Sequence, residues 1–326
     1  MLKIAIVGAT GLVGQTFLKV LEEKEIQADY TLFASSKSKG KIINFMNKDY
    51  EVQELTKEIN FNSYDYALFS AGSEIAKEYA PLFAKNGAIV IDNSSAFRMD
   101  KSVPLIVPEI NFEDAQNNLG IIANPNCSTI QAVLPLKAID EKYKLKRVIY
   151  STYQAVSGAG KRGIDDLLLD NVNKFPYHIK NNVIPHIDTF DESGYTKEEL
   201  KMINETRKIL KHPNLSITAT CARVPVLNSH AESINVETEY PFRIEDLKHY
   251  LNNFEGIIVT DDTKNNIYPL NTIANGTDNV YVGRIRRDHS VENGINFWCV
   301  ADNIRKGAAS NAVQILEKLI QKGPKN

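Results

Sequence analysis

Ile4-Ala5-Ile6-Val7-Gly8-Ala9-Thr10-Gly11-Leu12-Val13-Gly14 opens the chain with an apolar run and then places a glycine at every third position. Four apolar residues followed by Gly-x-x-Gly-x-x-Gly read as a buried strand turning into a helix. The first glycine permits a tight turn, and the others let the backbone approach a pyrophosphate at the helix N-terminus. Apolar residues at helical spacing over 12–23 follow directly. That context separates a dinucleotide-binding turn from a generic strand–helix connection.

Outward from this turn, short apolar runs alternate with helical spacing. Strands are expected at residues 2–7, 30–34, 66–69, 88–91, 105–107 and 121–123, with helices at 12–23 and 74–84. Such alternation implies a parallel sheet with helices on both faces. After residue 127 the runs lengthen and alternate more: 148–155, 216–226, 233–239, 257–259, 280–286 and 294–301, with helices at 162–173, 197–210, 244–252 and 307–321. This half predicts an α+β unit with a mainly antiparallel sheet. Ser157-Gly158-Ala159-Gly160 marks a turn between strand and helix, and a tail over 322–326 is expected to fray.

The second decisive stretch is Ile121-Ile122-Ala123-Asn124-Pro125-Asn126-Cys127-Ser128-Thr129-Ile130-Gln131: a buried strand, a turn, then a cysteine opening a helix. A thiol there meets the positive end of the helix dipole and free backbone N–H groups. The setting favours thiolate near neutral pH and offers donors to an oxyanion on an attacked carbonyl. A reactive cysteine beside a bound nicotinamide suggests oxidation of an aldehyde through a thioester.

The 326 residues suffice for two domains, and 43% hydrophobic with 24% charged residues is ordinary for a soluble globular chain. A net charge of -2 makes no overall case for nucleic acid or an anionic membrane. Cys127, Cys221 and Cys299 are scattered and odd in number, which argues against a disulfide framework and a cysteine metal site. Cys221 and Cys299 read as core residues of apolar strands. No stretch is long enough to span a bilayer, and the expected compartment is the reducing cytoplasm.

The other polar candidates are ambiguous by spacing. The acidic residue that usually follows the second strand is replaced by Ser35-Ser36-Lys37-Ser38-Lys39-Gly40, which favours the 2′-phosphate of NADP over the bare ribose of NAD; the bland alternative is a solvated loop. Arg98 closes Asp92-Asn93-Ser94-Ser95-Ala96-Phe97-Arg98 and could grip a phosphate or carboxylate, as could Arg223; each also fits a surface ion pair. Glu198 and Lys201 share a helix face behind Thr196 and Glu199, and a solvated salt bridge is the plainer reading. His230 could be the base for Cys127, but His186, His212 and His289 compete, and a surface histidine fits the spacing as well.

Taken together, Asn-Pro-Asn-Cys-Ser-Thr at 124–129, Gln-Ala-Val-Ser-Gly-Ala-Gly at 154–160, and stretches 8–14, 68–72, 92–99, 107–111, 182–188, 194–201, 218–226, 282–286 and 301–311 resemble aspartate-semialdehyde dehydrogenases of the bacterial type. The resemblance implies a Rossmann-type nucleotide domain at 1–126 with 303–326, and a catalytic and dimerisation domain at 127–302. It implies Cys127 as nucleophile, His230 as its acid–base partner and Gln154 as the residue orienting substrate near the thiol. Asn126, Arg98 and Lys201 resemble phosphate-site residues, Arg223 the clamp on the substrate α-carboxylate, and Glu198 the contact on its amino side. Gly8, Thr10, Gly11, Leu12, Val13, Ser35, Lys37, Ser38, Ser70, Ala71, Gly72, Ser157, Gly158 and Asn303 fall at nucleotide positions.

The activity implied is NADP-dependent, phosphorylating oxidation of L-aspartate 4-semialdehyde to L-4-aspartyl phosphate, with inorganic phosphate as co-substrate and no metal. It would serve lysine, threonine and methionine biosynthesis, in a homodimer or tetramer. Departures from the family pattern are Lys37 for arginine, and Ser73 and Ser229 for glycine. Rival readings are a reductase of N-acetylglutamyl phosphate and an NADP-binding regulator with a silent site.

Overall fold

The computed structural model describes residues 1–323, which form two compact units: Met1–Pro125 with the chain from Ala308 onward, and Asn126–Gly307. Asn126 and residues 303–307 therefore lie in the second unit, whereas the sequence reading put them in the first. Residues 324–326 of the tail lie outside the described residues, and Lys322 is the last residue of a helix.

The strands of the first unit are β1 (Lys3–Val7), β2 (Asp29–Ala34), β3 (Ile42–Phe45), β4 (Lys48–Glu51), β5 (Gln53–Glu54), β6 (Tyr66–Phe69), β7 (Ile89–Asp92) and β8 (Ile121–Ala123). Its helices are α1 (Leu12–Glu23), α2 (Ser73–Lys85), the short α3 (Pro108–Asn111) and the C-terminal helix Ser310–Lys322. Among the described residues the main sheet has six strands, all parallel, in the order β5-β2-β1-β6-β7-β8. Alternation along the strands sorts the core onto two faces. Ile4, Ile6, Leu68 and Ile91 pack with Phe17 and Leu21 of α1 and with Val313 and Leu316 of the C-terminal helix. Ala5, Val7, Phe69 and Val90 pack with Ala76, Ala80 and Phe83 of α2. Each fully buried Ile, Leu or Phe stabilises the fold by about 1.5–3 kcal/mol relative to exposure. Chain order reverses between β1 and β6, so the crevice at their carboxyl ends is the expected place for a ligand.

In the second unit the strands are β9 (Leu145–Gln154), β10 (Ser216–Arg223), β11 (His230–Thr238), β12 (Ile257–Val259), β13 (Val280–Asp288) and β14 (Gly294–Ala301). The helices are α4 (Cys127–Tyr143), α5 (Lys161–Leu168), α6 (Lys197–Ile209), α7 (Ile244–Asn252) and the short α8 (Asn271–Ala274). The sheet order is β10-β9-β11-β14-β13-β12, antiparallel at its centre with a parallel pair at each edge. Helix α4 is buried along most of its length against β9, β11, β13 and β14, and its apolar residues concentrate in 130–139. Pro135 inside it lacks an N–H for the Gln131 carbonyl, and the Cys299 thiol donates to that carbonyl instead, at 3.5 Å.

Several boundaries differ from the sequence reading. The strand expected at 105–107 is only a single bridge, Leu105 to Ala123. Pro104 and Pro108 flank it, and the Val107 amide donates to Asn111 Oδ1 rather than to a strand. The β3–β4 hairpin was not expected. Helix α5 stops at Leu168, because Asp166 accepts the amides of Asn173, Lys174 and Phe175 and holds that segment as a loop. The helix expected at 307–321 begins as a π-turn over Arg305–Ala309, where the Gly307 amide donates to the Asp302 carbonyl, and becomes α-helical at Ser310. The strand expected from 233 starts at His230, which matters for the site below.

Among the described residues no helix is long and apolar enough to cross a membrane. The glycine turn is where packing is tightest. A Cβ on Gly14 would lie 2.1 Å from the Gly8 carbonyl oxygen and 2.9 Å from Ala9 Cα, both rigid backbone. Gly14→Ala is therefore expected to destabilise the first unit by about 2–3 kcal/mol, read as a lowered denaturant midpoint.

Candidate active site

Asn126 is the N-cap of α4, and its side-chain oxygen accepts the amides of Ser128 at 3.0 Å and Thr129 at 3.3 Å. Its own amide donates to Glu205 at 2.7 Å, and its side-chain nitrogen donates to Glu198 Oε1 at 2.9 Å. Cys127 follows as the first helical residue, half-buried, with Sγ 3.2 Å from His230 Nε2. Free backbone N–H groups are expected beside the thiol; those of Ser128 and Thr129 are instead engaged by the cap.

His230 is fully buried, which overturns the surface reading: β11 begins at this residue and draws the ring into the sheet. The Ala155 amide donates to Nδ1 at 3.0 Å. A nitrogen that accepts carries no hydrogen, so the neutral ring holds its proton on Nε2, facing the sulfur. Burial, and then the charge of Arg223, push the His230 pKa well below the ordinary value, which keeps the ring neutral.

Around the pair lies a buried charged cluster. Glu198 Oε1 accepts from Asn126 and, at 3.2 Å, from Gln154 Nε2. Glu198 Oε2 accepts from Lys201 at 3.2 Å, and Lys201 also reaches Asp188 at 2.9 Å. Burial opposes ionisation of Glu198, but Lys201, the Asn126 amide and Arg223 outweigh it and hold the carboxyl below its usual range. Glu198 is only 5% exposed, so the solvated salt-bridge reading fails. The Arg223 guanidinium is buried, donates from NH1 to the Ala155 carbonyl at 2.6 Å, and leaves Nε without a hydrogen-bond partner among the described residues. A buried guanidinium with an idle donor fits an incoming carboxylate. A Cβ on Gly158 would sit 3.0 Å from Arg223 NH1 and 3.2 Å from His230 Nε2, so a side chain there would press on both groups. Asn303 pairs with Ser157 at 3.0 Å and accepts the Ser229 amide at 2.8 Å, which fixes the turn before His230.

In the first unit, α1 and α2 begin at the carboxyl ends of the neighbouring strands β1 and β6, with N-caps Gly11 and Gly72 that supply no side-chain cap. Gly8 has φ +87°, and a Cβ there would lie 2.4 Å from the Ser70 carbonyl oxygen; Gly72 has φ +86°. Backbone this bare, with no acidic residue in the first turn of α1, fits the phosphates of a dinucleotide. Leu12 and Val13 open α1, and Ala71 lies between Ser70 and Gly72 in the β6–α2 loop. Ser35 caps a short 3₁₀ turn over Ser36–Ser38 that includes Lys37, and Thr10 donates to Ser38 at 3.3 Å. Arg98 is 7% exposed and donates to the carbonyls of Asn124 and Asn93, each at 2.9 Å, so it is not a surface ion-pair partner.

Cys127, His230, Gln154, Asn126, Glu198, Lys201, Arg223, Ser157, Gly158 and Asn303 belong to the second unit; Arg98 and the remaining nucleotide candidates belong to the first. Sequence reasoning missed Ala155, which acts through its backbone and leaves no side-chain signal. It also missed Glu205, although Glu198 and Glu205 stand two turns apart on one face of α6. Among the described residues no cluster of His, Cys, Asp and Glu could hold a metal ion. Cys221 and Cys299 are buried, and burial pushes both thiols well above the ordinary range.

Two outcomes are expected from this geometry. The unfolded chain protonates His230 near its ordinary value of 6.5, whereas the folded chain refuses the proton until much lower pH. Its contribution to stability is therefore full above that value and lost as pH falls below it, so wild type should lose stability relative to His230→Asn between about pH 7 and about pH 5 in unfolding titrations. Ser229 sits at φ +69° with its hydroxyl buried and unpartnered among the described residues. Ser229→Gly should raise stability by roughly 0.5–1 kcal/mol, the left-handed strain less the added chain entropy of glycine, measured as a thermal shift.

Two family models match the chain: a semialdehyde dehydrogenase NAD binding domain over residues 3–118, and a semialdehyde dehydrogenase dimerisation domain over residues 136–306. The aspartate-semialdehyde dehydrogenase of Aquifex aeolicus is 53% identical over 98% of both chains. That of Bacillus subtilis is 45% identical over 98% of this chain and 97% of its own length. The crystal structure of aspartate semialdehyde dehydrogenase II from Vibrio cholerae, complexed with ASA, matches with a TM-score of 0.96 at 45% identity over 99% of each chain. An aspartate semialdehyde dehydrogenase with NADP from Candida albicans matches with a TM-score of 0.80 at 27% identity over 99% of each. With identity of this order running end to end and both domains matched, the chain belongs to the aspartate-semialdehyde dehydrogenase family.

Proposed function

We propose that the chain oxidises L-aspartate 4-semialdehyde to L-4-aspartyl phosphate, reversibly, with NADP and inorganic phosphate, and runs in the reducing direction for amino-acid biosynthesis. The observation that carries the reading is the Cys127–His230 pair, 3.2 Å apart beside a buried guanidinium with an idle donor.

The substrate head is a zwitterion. Arg223 supplies the cation for its α-carboxylate, and Glu198, held ionised, supplies the anion for its ammonium. An acylated amine would meet the Glu198 carboxylate with no charge to offer, which disfavours the N-acetylated substrate. A regulator with a silent site would have no use for a thiol and an imidazole held in contact.

Cys127, as the thiolate favoured at a helix N-terminus, attacks the aldehyde carbon: a C–S bond forms, and the carbonyl π pair moves to oxygen. His230, with its proton on Nε2, donates to the developing oxyanion, a role given to it by the Ala155 amide on Nδ1. Nicotinamide, when bound, supplies the hydride acceptor that turns the Cys127 adduct into a thioester. A phosphate oxygen then attacks the thioester carbon, and the Cys127 thiolate leaves as the acyl phosphate forms. Lys201, Arg98 and Asn126 are the groups proposed to hold that phosphate, and Gln154 the one to orient the carbonyl.

For the nucleotide, the uncapped starts of α1 and α2, with Gly8, Thr10, Gly11, Leu12, Val13, Ser70, Ala71 and Gly72, would hold the pyrophosphate region. Ser157, Gly158 and Asn303 would serve the nicotinamide end. Ser35, Lys37 and Ser38, hydroxyls and a cation without a carboxylate, support NADP over NAD. A homodimer fits the dimerisation-domain match, with a tetramer as the larger alternative, and three free cysteines suit the cytoplasm.

The test is phosphate-dependent reduction of NADP by aspartate semialdehyde, with NAD in parallel. Activity should require phosphate and fall by more than about a thousandfold in Cys127→Ala, as loss of a covalent nucleophile does. Turnover without phosphate, or substantial turnover by the variant, would overturn the mechanism.

A further inference from the structure

Glu232 is a buried ionisable group that the proposed reaction does not use. It is 0% exposed, and neither carboxyl oxygen has a hydrogen-bond partner among the described residues. On β11 it stands opposite Cys299 of β14 and Thr152 of β9, and two residues after His230, so it shares the sheet face on which the histidine lies.

Gln131 of α4 lies over the same place. Its carbonyl, freed by Pro135, accepts from Cys299, the cross-strand neighbour of Glu232. Its side-chain nitrogen donates to the His230 carbonyl at 3.3 Å. That bond fixes which way the amide points, since a flipped amide would set two carbonyl oxygens together. Gln131 Oε1 is then left buried without a donor. Ser128 Oγ, one turn earlier on the helix, is likewise buried and has no hydrogen-bond partner among the described residues.

The arithmetic of donors decides the state. An ionised carboxylate only accepts, so it would leave three buried oxygens with nothing between them; an un-ionised acid carries the missing O–H. We propose that Glu232 is a positioning residue, carried un-ionised, whose O–H donates to Gln131 Oε1 and so locks the amide that holds the His230 backbone. The surroundings agree: burial, then the anion Glu198 on α6, push its pKa well up. Tyr150 on β9, Cys221 on β10 and Cys299 on β14, which also face it, are acids driven towards their neutral forms by burial.

Part of the proposal rests on His230 acting in the reaction above, and the experiment separates the two. Infrared difference spectra of wild type minus Glu232→Gln at neutral pH should show the carbonyl stretch of an un-ionised carboxylic acid, whatever the activity. In turnover assays Glu232→Gln, whose amide also donates, should keep kcat within about threefold. Glu232→Ala and Gln131→Ala should each lose about tenfold or more in kcat with little change in KM, the cost of stranding a buried group, and the double variant should be no worse than either. Absence of the acid band, or a Glu232→Gln enzyme as impaired as Glu232→Ala, would overturn the proposal. If Glu232→Ala folds poorly, the acid band and the retained kcat of Glu232→Gln, which keeps the core filled, still test the proposal, and loss of either overturns it.

Discussion

The tie between Asn126 and helix α6 governs the second unit. One asparagine caps α4 with its oxygen, donates its side-chain nitrogen to Glu198, and gives its backbone amide to Glu205. The start of α4 is thereby pinned to a neighbouring helix by charge-assisted bonds, which are stronger than neutral ones. Cys127 is the next residue, so the sulfur inherits its position from α6. Helix α6 is itself anchored: Thr196 and Glu199 form a reciprocal cap, and Glu199 also accepts the Cys221 amide from β10. The thiol is located by a chain of polar contacts that ends in the sheet.

Placing this many polar groups in a core is costly unless each finds a partner. The second unit meets that constraint in opposite ways at two carboxyls. Glu198 is surrounded by Lys201, Asn126, Gln154 and Arg223, and stays charged. Glu232 has burial and a like charge, and its pKa is pushed up. Two glutamates within one core are therefore pushed in opposite directions because their neighbours differ. Arg223 is the counter-charge for Glu198, and its Nε has no hydrogen-bond partner among the described residues.

Much of the fold was legible from local pattern. The Gly8–Gly14 turn, the apolar strands of the first sheet and the cysteine at a helix start each announce themselves within a dozen residues, because periodicity and glycine placement are local properties. What escaped was set by contacts distant in sequence. The β3–β4 hairpin turns through Met46 and Asn47, both at positive φ, without the glycine that usually marks such a turn. The strand at His230 begins earlier than its polar sequence suggests, since pairing with Ala301 extends it. Family likeness named His230 among its rivals; spacing could not, because the ring becomes special only when the fold brings it to Cys127. The burial of Glu198 was likewise invisible in a helix that looks amphipathic and charged. Ser229 shows the reverse case: the glycine expected there corresponds to a left-handed backbone that the serine adopts under strain.

Ala155 joins the two halves of the candidate chemistry through its main chain. Its amide fixes the proton of His230, and its carbonyl holds Arg223. A guanidinium that turns towards a carboxylate must pull on the same residue that sets the imidazole. In the proposed reaction, recognition of the substrate's charged end and orientation of the proton at its reactive end would thus be mechanically linked across one alanine. Both contacts are made by backbone atoms, so among replacements of that side chain only proline, which lacks the N–H, removes the bond to His230. With Arg223 as the proposed carboxylate site, a compound lacking the carboxylate would meet an imidazole still in its resting pose, a form of selectivity exercised at the reacting carbon without any contact there.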